Sequence, residues 1–480
     1  MRAGTGPTGL SAGEPRLVPS TDGTSVASRS TLLSAAAAVV GLLSYGCALT
    51  MTHILDARGY SQFAGGQMLL GMVGVLGAAL TQLPLVHIVR SNPPSSVARR
   101  RGMAFAWSVS AAVGIAAAAA TASVTALFAP AEVAVAVAAS AFAMVLVTPI
   151  WGWLLGELRF LRFAVTTVAE VVVRIVCSVT AAVIGWGAGG ALAGFAAGSV
   201  SVLLLTPLAL RRDVTWCPSV LTERDRWTDT ADIALVQVIL AVVVGVDVVL
   251  VALLGAGTEA VAGYQALSTL AKGPVYVAAG AASVAFPLLR SPDARVRDIL
   301  TATLRSFGLL ALPAAAVLAT VPERVMLLVL PQRYAPSLTM LPILAASGVG
   351  YAAVTALATI LLGLRAYRRS QLGLLLTVVL LPTGMILGWR FDTVHGLAVG
   401  AAAGAGLAAI VMWTFANSLL PPRMNGRAAR ALVAAAGWAA VLDLVRGHVV
   451  VWLALAALSG AFVLHRLRAP RAHRIGADLR

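Results

Sequence analysis

Lysine is almost missing from this chain: Lys272 is the single example among 480 residues, and every other basic residue is arginine. Acids are scarce too, at 19. Charged residues make up only 11% of the sequence, against about a quarter in ordinary soluble domains, which excludes a water-soluble globular protein. Cysteine is limited to Cys47, Cys177 and Cys217, two in apolar segments and one in a polar loop, so no disulfide framework is expected. The lone lysine is followed by Gly273, so no phosphate-cradling loop ending in Lys-Ser or Lys-Thr exists to power an ATP-driven pump. The six histidines lie scattered at helix ends and tails without ligand spacing, so neither a metal nor a cofactor is expected.

What fills the chain instead is apolar. Hydrophobic residues are 59% of it and its mean hydropathy is +0.90. They form some fourteen stretches, each long enough to cross a ~30 Å hydrocarbon core. This predicts an all-α polytopic integral membrane protein of about 14 transmembrane helices. Such a chain leaves little room for a soluble catalytic module, and no enzyme is expected.

The net charge of +16 does not imply nucleic acid, because the placement of the arginines carries a membrane signature. If the N-terminal tail is cytoplasmic, 27 basic residues fall in internal loops and tails, five (Arg58, Arg324, Arg333, Arg390, Arg446) fall in external loops, and Arg174, Lys272 and Arg305 fall inside helices. The split predicts a multi-pass protein of the cell membrane with both termini cytoplasmic, and residues 31–54 as a retained helix, not a signal peptide. Cysteines placed near Gly257 and Pro322 are therefore expected to react with an impermeant maleimide added outside intact cells, and those near Thr222 or Ala429 are not. External labelling at both 222 and 429 would refute this topology.

The predicted organisation is a disordered cytoplasmic tail (1–30), a six-helix bundle (31–210), an interfacial cytoplasmic linker (211–231), a second six-helix bundle (232–419), two additional helices (420–465) and a basic cytoplasmic tail (466–480). Similarity between the bundles sits six helices apart. Gly59 and Tyr60 precede a helix ending Pro84 to Ser91, and Gly263 and Tyr264 begin one ending Pro287 to Ser291. Helix 4 ends Leu154 to Phe160 (Leu-Leu-Gly-Glu-Leu-Arg-Phe), and helix 10 ends Leu361 to Tyr367 (Leu-Leu-Gly-Leu-Arg-Ala-Tyr). An even offset makes the repeats parallel, so two pseudo-symmetric six-helix bundles are expected around a central cavity that holds the substrate path.

Ionisable side chains inside such helices are costly and mark candidate pathways. On helix 5, Glu170 and Arg174 stand one turn apart between Thr166 or Thr167 and Ser178, either as a self-neutralising pair or as lining of the cavity. On helix 8, predicted over 261–289, Tyr264, Ser268, Lys272 and Tyr276 share one face, and Gly273-Pro274 permits a kink beside the lysine. Asp247, among valines on helix 7, must find a cation, pair with Lys272 or stay protonated. Arg305 enters helix 9 from the cytoplasm and either snorkels or faces substrate. Ser347, Tyr351, Thr355 and Thr359 make a mild polar stripe on helix 10.

Scattered positions resemble one family. Asp56 to Phe63 (Asp-Ala-Arg-Gly-Tyr-Ser-Gln-Phe), Val246-Asp247, the turn Gly255 to Glu259, Ala262 to Tyr264, Leu270 to Lys272 and Phe286-Pro287 together look like the Wzx-type oligosaccharide-lipid flippases. These belong to the superfamily that also holds the lipid II flippases and the multidrug and toxin extruders. Leu328 to Tyr334 resembles that family's turn before helix 10, with Pro331 where a glycine is usual. The resemblance implies export of a polyprenyl-pyrophosphate-linked oligosaccharide for cell-surface polysaccharide, and partner glycosyltransferases and a polymerase. The expected substrate-binding residues are Lys272, Arg174, Arg305, Tyr264 and Tyr276, and the expected proton- or sodium-coupling residues are Asp247 and Glu170. The alternatives are a gradient-driven drug antiporter of the same superfamily, a membrane-embedded glycosyltransferase or polymerase, and a degenerate member without transport.

Overall fold

The computed structural model describes residues 23–93, 96–206, 225–255, 258–276, 289, 296–419 and 424–475, and among these it contains helices and turns but no strand. In chain order they are α1 (Gly23–Ile54), α2 (Ala57–Ser91), α3 (Val97–Thr125), α4 (Ala131–Gly156), α5 (Phe160–Val183), α6 (Gly187–Leu205) and α7 (Asp225–Gly255). There follow α8 (Glu259–Ala271), α9 (Val296–Ala319), α10 (Leu341–Gly363), α11 (367–391), α12 (394–417), α13 (Met424–Leu444) and α14 (Val449–Ile475).

Nine described helical segments are long and apolar enough to cross a membrane, and the longest, Tyr367–Asn417, is two spans. A helix of 51 residues would reach about 77 Å, far beyond any bilayer core. It folds back at Asp392 and Thr393, where the backbone leaves helical geometry and Thr393 takes a φ of 42°. Glycines make this return possible: Gly388 meets Gly396 and Gly384 meets Gly400, so the two backbones touch where any Cβ would intrude. With the apolar parts of α1 (Val39–Ile54) and α14 (Val449–Val463), and with α8 and α13, the spans fit the expected fourteen.

Local chemistry explains the ends. Asp56 caps α2 by accepting the Gly59 N–H at 2.8 Å, Ser96 caps α3 through Arg99 N–H at 3.2 Å, and Thr258 caps α8 through Val261 N–H at 3.3 Å. Inside α2 a π-helical turn over Ala78–Gln82 directly precedes Pro84, whose ring cannot supply the next helical hydrogen bond.

Several boundaries differ from expectation. α1 starts at Gly23, within the tail expected to be disordered, because no proline or glycine interrupts the run from Thr24 to Val40. α14 likewise continues past residue 465 into the expected basic tail. The predicted helix over 261–289 begins earlier, at Glu259, and is broken after Ala271: Lys272 sits in a turn (φ −79°, ψ 0°), Pro274 lacks a backbone donor, and helical geometry resumes over 273–276. Residues 277–288, Cys217 and most of the linker 211–231 lie outside the described residues, as does the Phe286-Pro287 motif.

The internal repeat has a structural counterpart. Leu158 and Arg365 both adopt φ 58°, and in each case the next residue's N–H reaches back five positions, Arg159 to Leu154 and Ala366 to Leu361, both at 2.9 Å. Two non-glycine residues in the left-handed region at matching places end α4 and α10 with one turn. Tyr60 and Tyr264, the tyrosines of the other sequence pair, are both buried.

Candidate functional site

Three helices build the most deeply buried charge cluster. Asp247 of α7 is 0% exposed, and its Oδ1 accepts a hydrogen bond from Lys272 Nζ at 2.7 Å while its Oδ2 accepts one from Ser268 Oγ at 2.6 Å. Lys272 reaches it because α8 ends there, its N–H closing the last turn on the Ser268 carbonyl at 3.1 Å. The Tyr351 ring of α10 lies under the ammonium, 5.8 Å from its nitrogen, and Tyr264 and Tyr351 both stand within electrostatic reach of the carboxylate. One turn earlier, Gln265 donates to the Val248 carbonyl at 3.1 Å and the Ser61 carbonyl at 3.4 Å, tying α8 to α7 and α2.

This arrangement brings Asp247, Lys272 and Tyr264 together. It leaves Lys272 3% exposed, with its charge already matched by Asp247. For the ammonium to meet an anionic ligand, the pair must open.

The second cluster is half-buried and lies between α5, α1 and α6. Arg174 stands 3.8 Å from Glu170, donates to Ser44 Oγ at 3.0 Å and covers the Phe195 ring at 4.8 Å. Ser178, expected on the same polar stripe, instead donates to the Ala191 carbonyl at 2.6 Å and serves the α5–α6 contact. The residue after Ser44 faces α8: Tyr45 donates to the Thr269 carbonyl at 3.2 Å and meets the exposed Tyr276 ring edge-on at 5.5 Å. Adjacent residues of α1 thus touch Arg174 on one side and α8 on the other. Sequence reading missed Ser44 and Tyr45; the signal available was Tyr45 itself, one of seven tyrosines and the one tyrosine in α1.

Arg305 belongs to neither cluster. It is exposed in the wall of a cavity of about 1380 Å³ between α9, α10, α12, α13 and α14, and among the described residues it is the one charged member of that lining. Phe307, Leu357, Trp413, Leu432 and Phe462 are typical of the rest. Trp452 of α14 donates to Thr320, just after α9, at 3.2 Å and so docks α14 against the bundle, while Trp438 of α13 donates to Ser459 of α14 at 2.8 Å. Of the helix 10 stripe, Tyr351 faces the Lys272 ammonium, while Ser347, Thr355 and Thr359 bond carbonyls of their own helix. Among the described residues no group of three or more His, Cys, Asp or Glu side chains could hold a metal.

No protein-family model and no curated protein matches the chain. Solved structures do. The lipid II flippase MurJ in an inward closed conformation superposes with a TM-score of 0.69 over 92% of this chain and all of its own, at 12% identity. A multidrug resistance MATE transporter in an inward-facing conformation gives 0.63 over 79% of this chain and 94% of its own, at 14% identity. A MOP-superfamily transporter from Pyrococcus furiosus Vc1 gives 0.59 over 82% of this chain and 94% of its own, at 15% identity. The chain therefore has the fold of the MOP-superfamily transporters.

Proposed function

We propose that the protein is a flippase that moves a polyprenyl-pyrophosphate-linked oligosaccharide across the cytoplasmic membrane for cell-surface polysaccharide synthesis. The observation that carries this reading is the cavity between α9 and α14: a largely apolar chamber in which Arg305 is the one cation among the described lining residues suits an amphiphile with a hydrocarbon tail and an anionic head. The reading further assigns Arg174 and a released Lys272 to the diphosphate, with Tyr264, Tyr276 and neighbouring hydroxyls available to sugar. Asp247 and Glu170 are its candidates for coupling to a proton or sodium gradient. The two six-helix bundles, 31–210 and 232–419, would rock about the site to give alternating access, in a cell membrane with both termini cytoplasmic and with glycosyltransferases and a polymerase as partners.

Export of cationic drugs fits less well, because Asp247 is neutralised by Lys272 and Glu170 stands beside Arg174, which leaves neither acid without a base. Purified protein in proteoliposomes distinguishes the two readings. Flipping of an undecaprenyl-pyrophosphate oligosaccharide is expected, reduced about tenfold or more in Arg305→Ala, with no uptake of a cationic dye. Dye uptake without glycolipid flipping would overturn the proposal.

A further inference from the structure

On the face where α1 meets α2, a short tether crosses from the C-terminal bundle to the N-terminal one. It starts at the turn between α9 and α10. Arg333 Nη2 donates to the carbonyls of Thr52 and Leu55, the latter at 2.6 Å. His53 Nε2 returns a hydrogen bond to the Val329 carbonyl at 2.9 Å. The buried rings of Tyr334 and Tyr60 pack at 6.3 Å beneath these contacts, and the Arg333 guanidinium covers Tyr334 at 5.1 Å.

The chemistry of this contact is specific to a helix end. The last carbonyls of α1 have no intrahelical partner and carry the negative end of the helix dipole, so a guanidinium suits them better than a neutral donor. Arg333 has no carboxylate within ion-pair distance among the described residues, so its charge is directed to these carbonyls. α1 is also the helix whose Ser44 and Tyr45 contact Arg174, Thr269 and Tyr276. A hold on its end is a hold on the candidate site.

The geometry points to Arg333 as a positioning residue of the transport cycle: it fastens α1 to the C-terminal bundle while this side is closed, and the side opens when the guanidinium releases the α1 carbonyls. The inference rests on the alternating-access reading, and in the orientation of the charge distribution this side is the outer one. Charge-assisted bonds to two carbonyls are strong enough that losing them shifts the closed-to-open balance by about tenfold.

Ser61, 1% exposed at the seam where Gln265 crosses from α8, reports this opening. Ser140, 0% exposed and bonded to the Leu192 carbonyl within α4 and α6, reports general loosening. The test uses Ser61→Cys or Ser140→Cys in a full chain whose Cys47, Cys177 and Cys217 are replaced, in intact cells, with an impermeant maleimide. Arg333→Gln is expected to speed labelling at position 61 about tenfold and leave position 140 unchanged, and Arg333→Lys is expected to fall between. His53→Ala, a milder change on the other chain, is expected to give a smaller rise at 61 alone. Equal rises at 61 and 140, or no rise at 61 in any variant, would overturn the assignment. Since no substrate enters this measurement, its failure is separate from a failure of the glycolipid reading.

Discussion

Lys272→Ala is expected to abolish transport and to destabilise the fold by about 3–5 kcal/mol, because it strands the Asp247 carboxylate in a fully buried site without its counter-charge. The pair lies at 2.7 Å with side chains 4% and 0% exposed, so solvent screening does little to soften the loss. Ser268 remains as a neutral donor at 2.6 Å, a hydrogen bond where a charge was. Lys272→Arg keeps the charge and is expected to retain part of the activity, limited by the larger planar group at a packed position. The double change Lys272→Ala with Asp247→Ala removes both charges and is expected to recover most of the stability, since a buried pair contributes little net free energy beyond a neutral replacement. Thermal unfolding in detergent and glycolipid flipping in proteoliposomes then separate two roles. If the double variant is stable and inactive, at least one of the two charges acts in the transport cycle beyond neutralising the other; if it regains transport, the lysine served only to neutralise Asp247.

Gly348→Ala is expected to damage the same cluster by a different route. A Cβ on residue 348 of α10 would penetrate the carbonyl oxygen of Ala271, the last residue of α8 and the one that precedes Lys272. The obstacle is backbone and cannot rotate aside. Helix propensity favours alanine over glycine by about 1 kcal/mol, while overpacking of this kind costs about 1–3 kcal/mol or more. Repulsion should win, with a net loss of about 2 kcal/mol in unfolding experiments and a displaced Lys272. Gly71→Ala is the control: nothing lies within 4 Å of a Cβ there, and the change is expected to be neutral or slightly stabilising. Equal stability of the two variants would mean that α8 is free to move away from α10.

Much of the layout was legible beforehand. A membrane helix satisfies its backbone hydrogen bonds internally, so hydropathy along the chain reports its spans directly. The break in α8 was visible as Gly273-Pro274, and the matched ends of α4 and α10 as similar strings around residues 154–160 and 361–367. The helix boundaries were less legible: the first turns of α1, from Gly23 to Ser30, are mostly polar and lie outside the apolar run that hydropathy detects, and a stretch of apolar residues does not distinguish a π turn from an α turn before Pro84.

Composition and local pattern alone therefore determined that this chain is an all-helical membrane protein of about fourteen spans with a few costly charges in its interior. Each of those properties depends on a residue and its near neighbours. Tertiary structure decided which charges meet. Asp247 and Lys272 are 25 positions apart on two helices, Ser44 and Arg174 are 130 apart, and Thr52 and Arg333 are 281 apart. Whether such groups touch depends on how each helix is rotated about its own axis and where it crosses the others. Close contacts between backbones, such as Gly348 against Ala271, set those rotations, and hydropathy does not encode them.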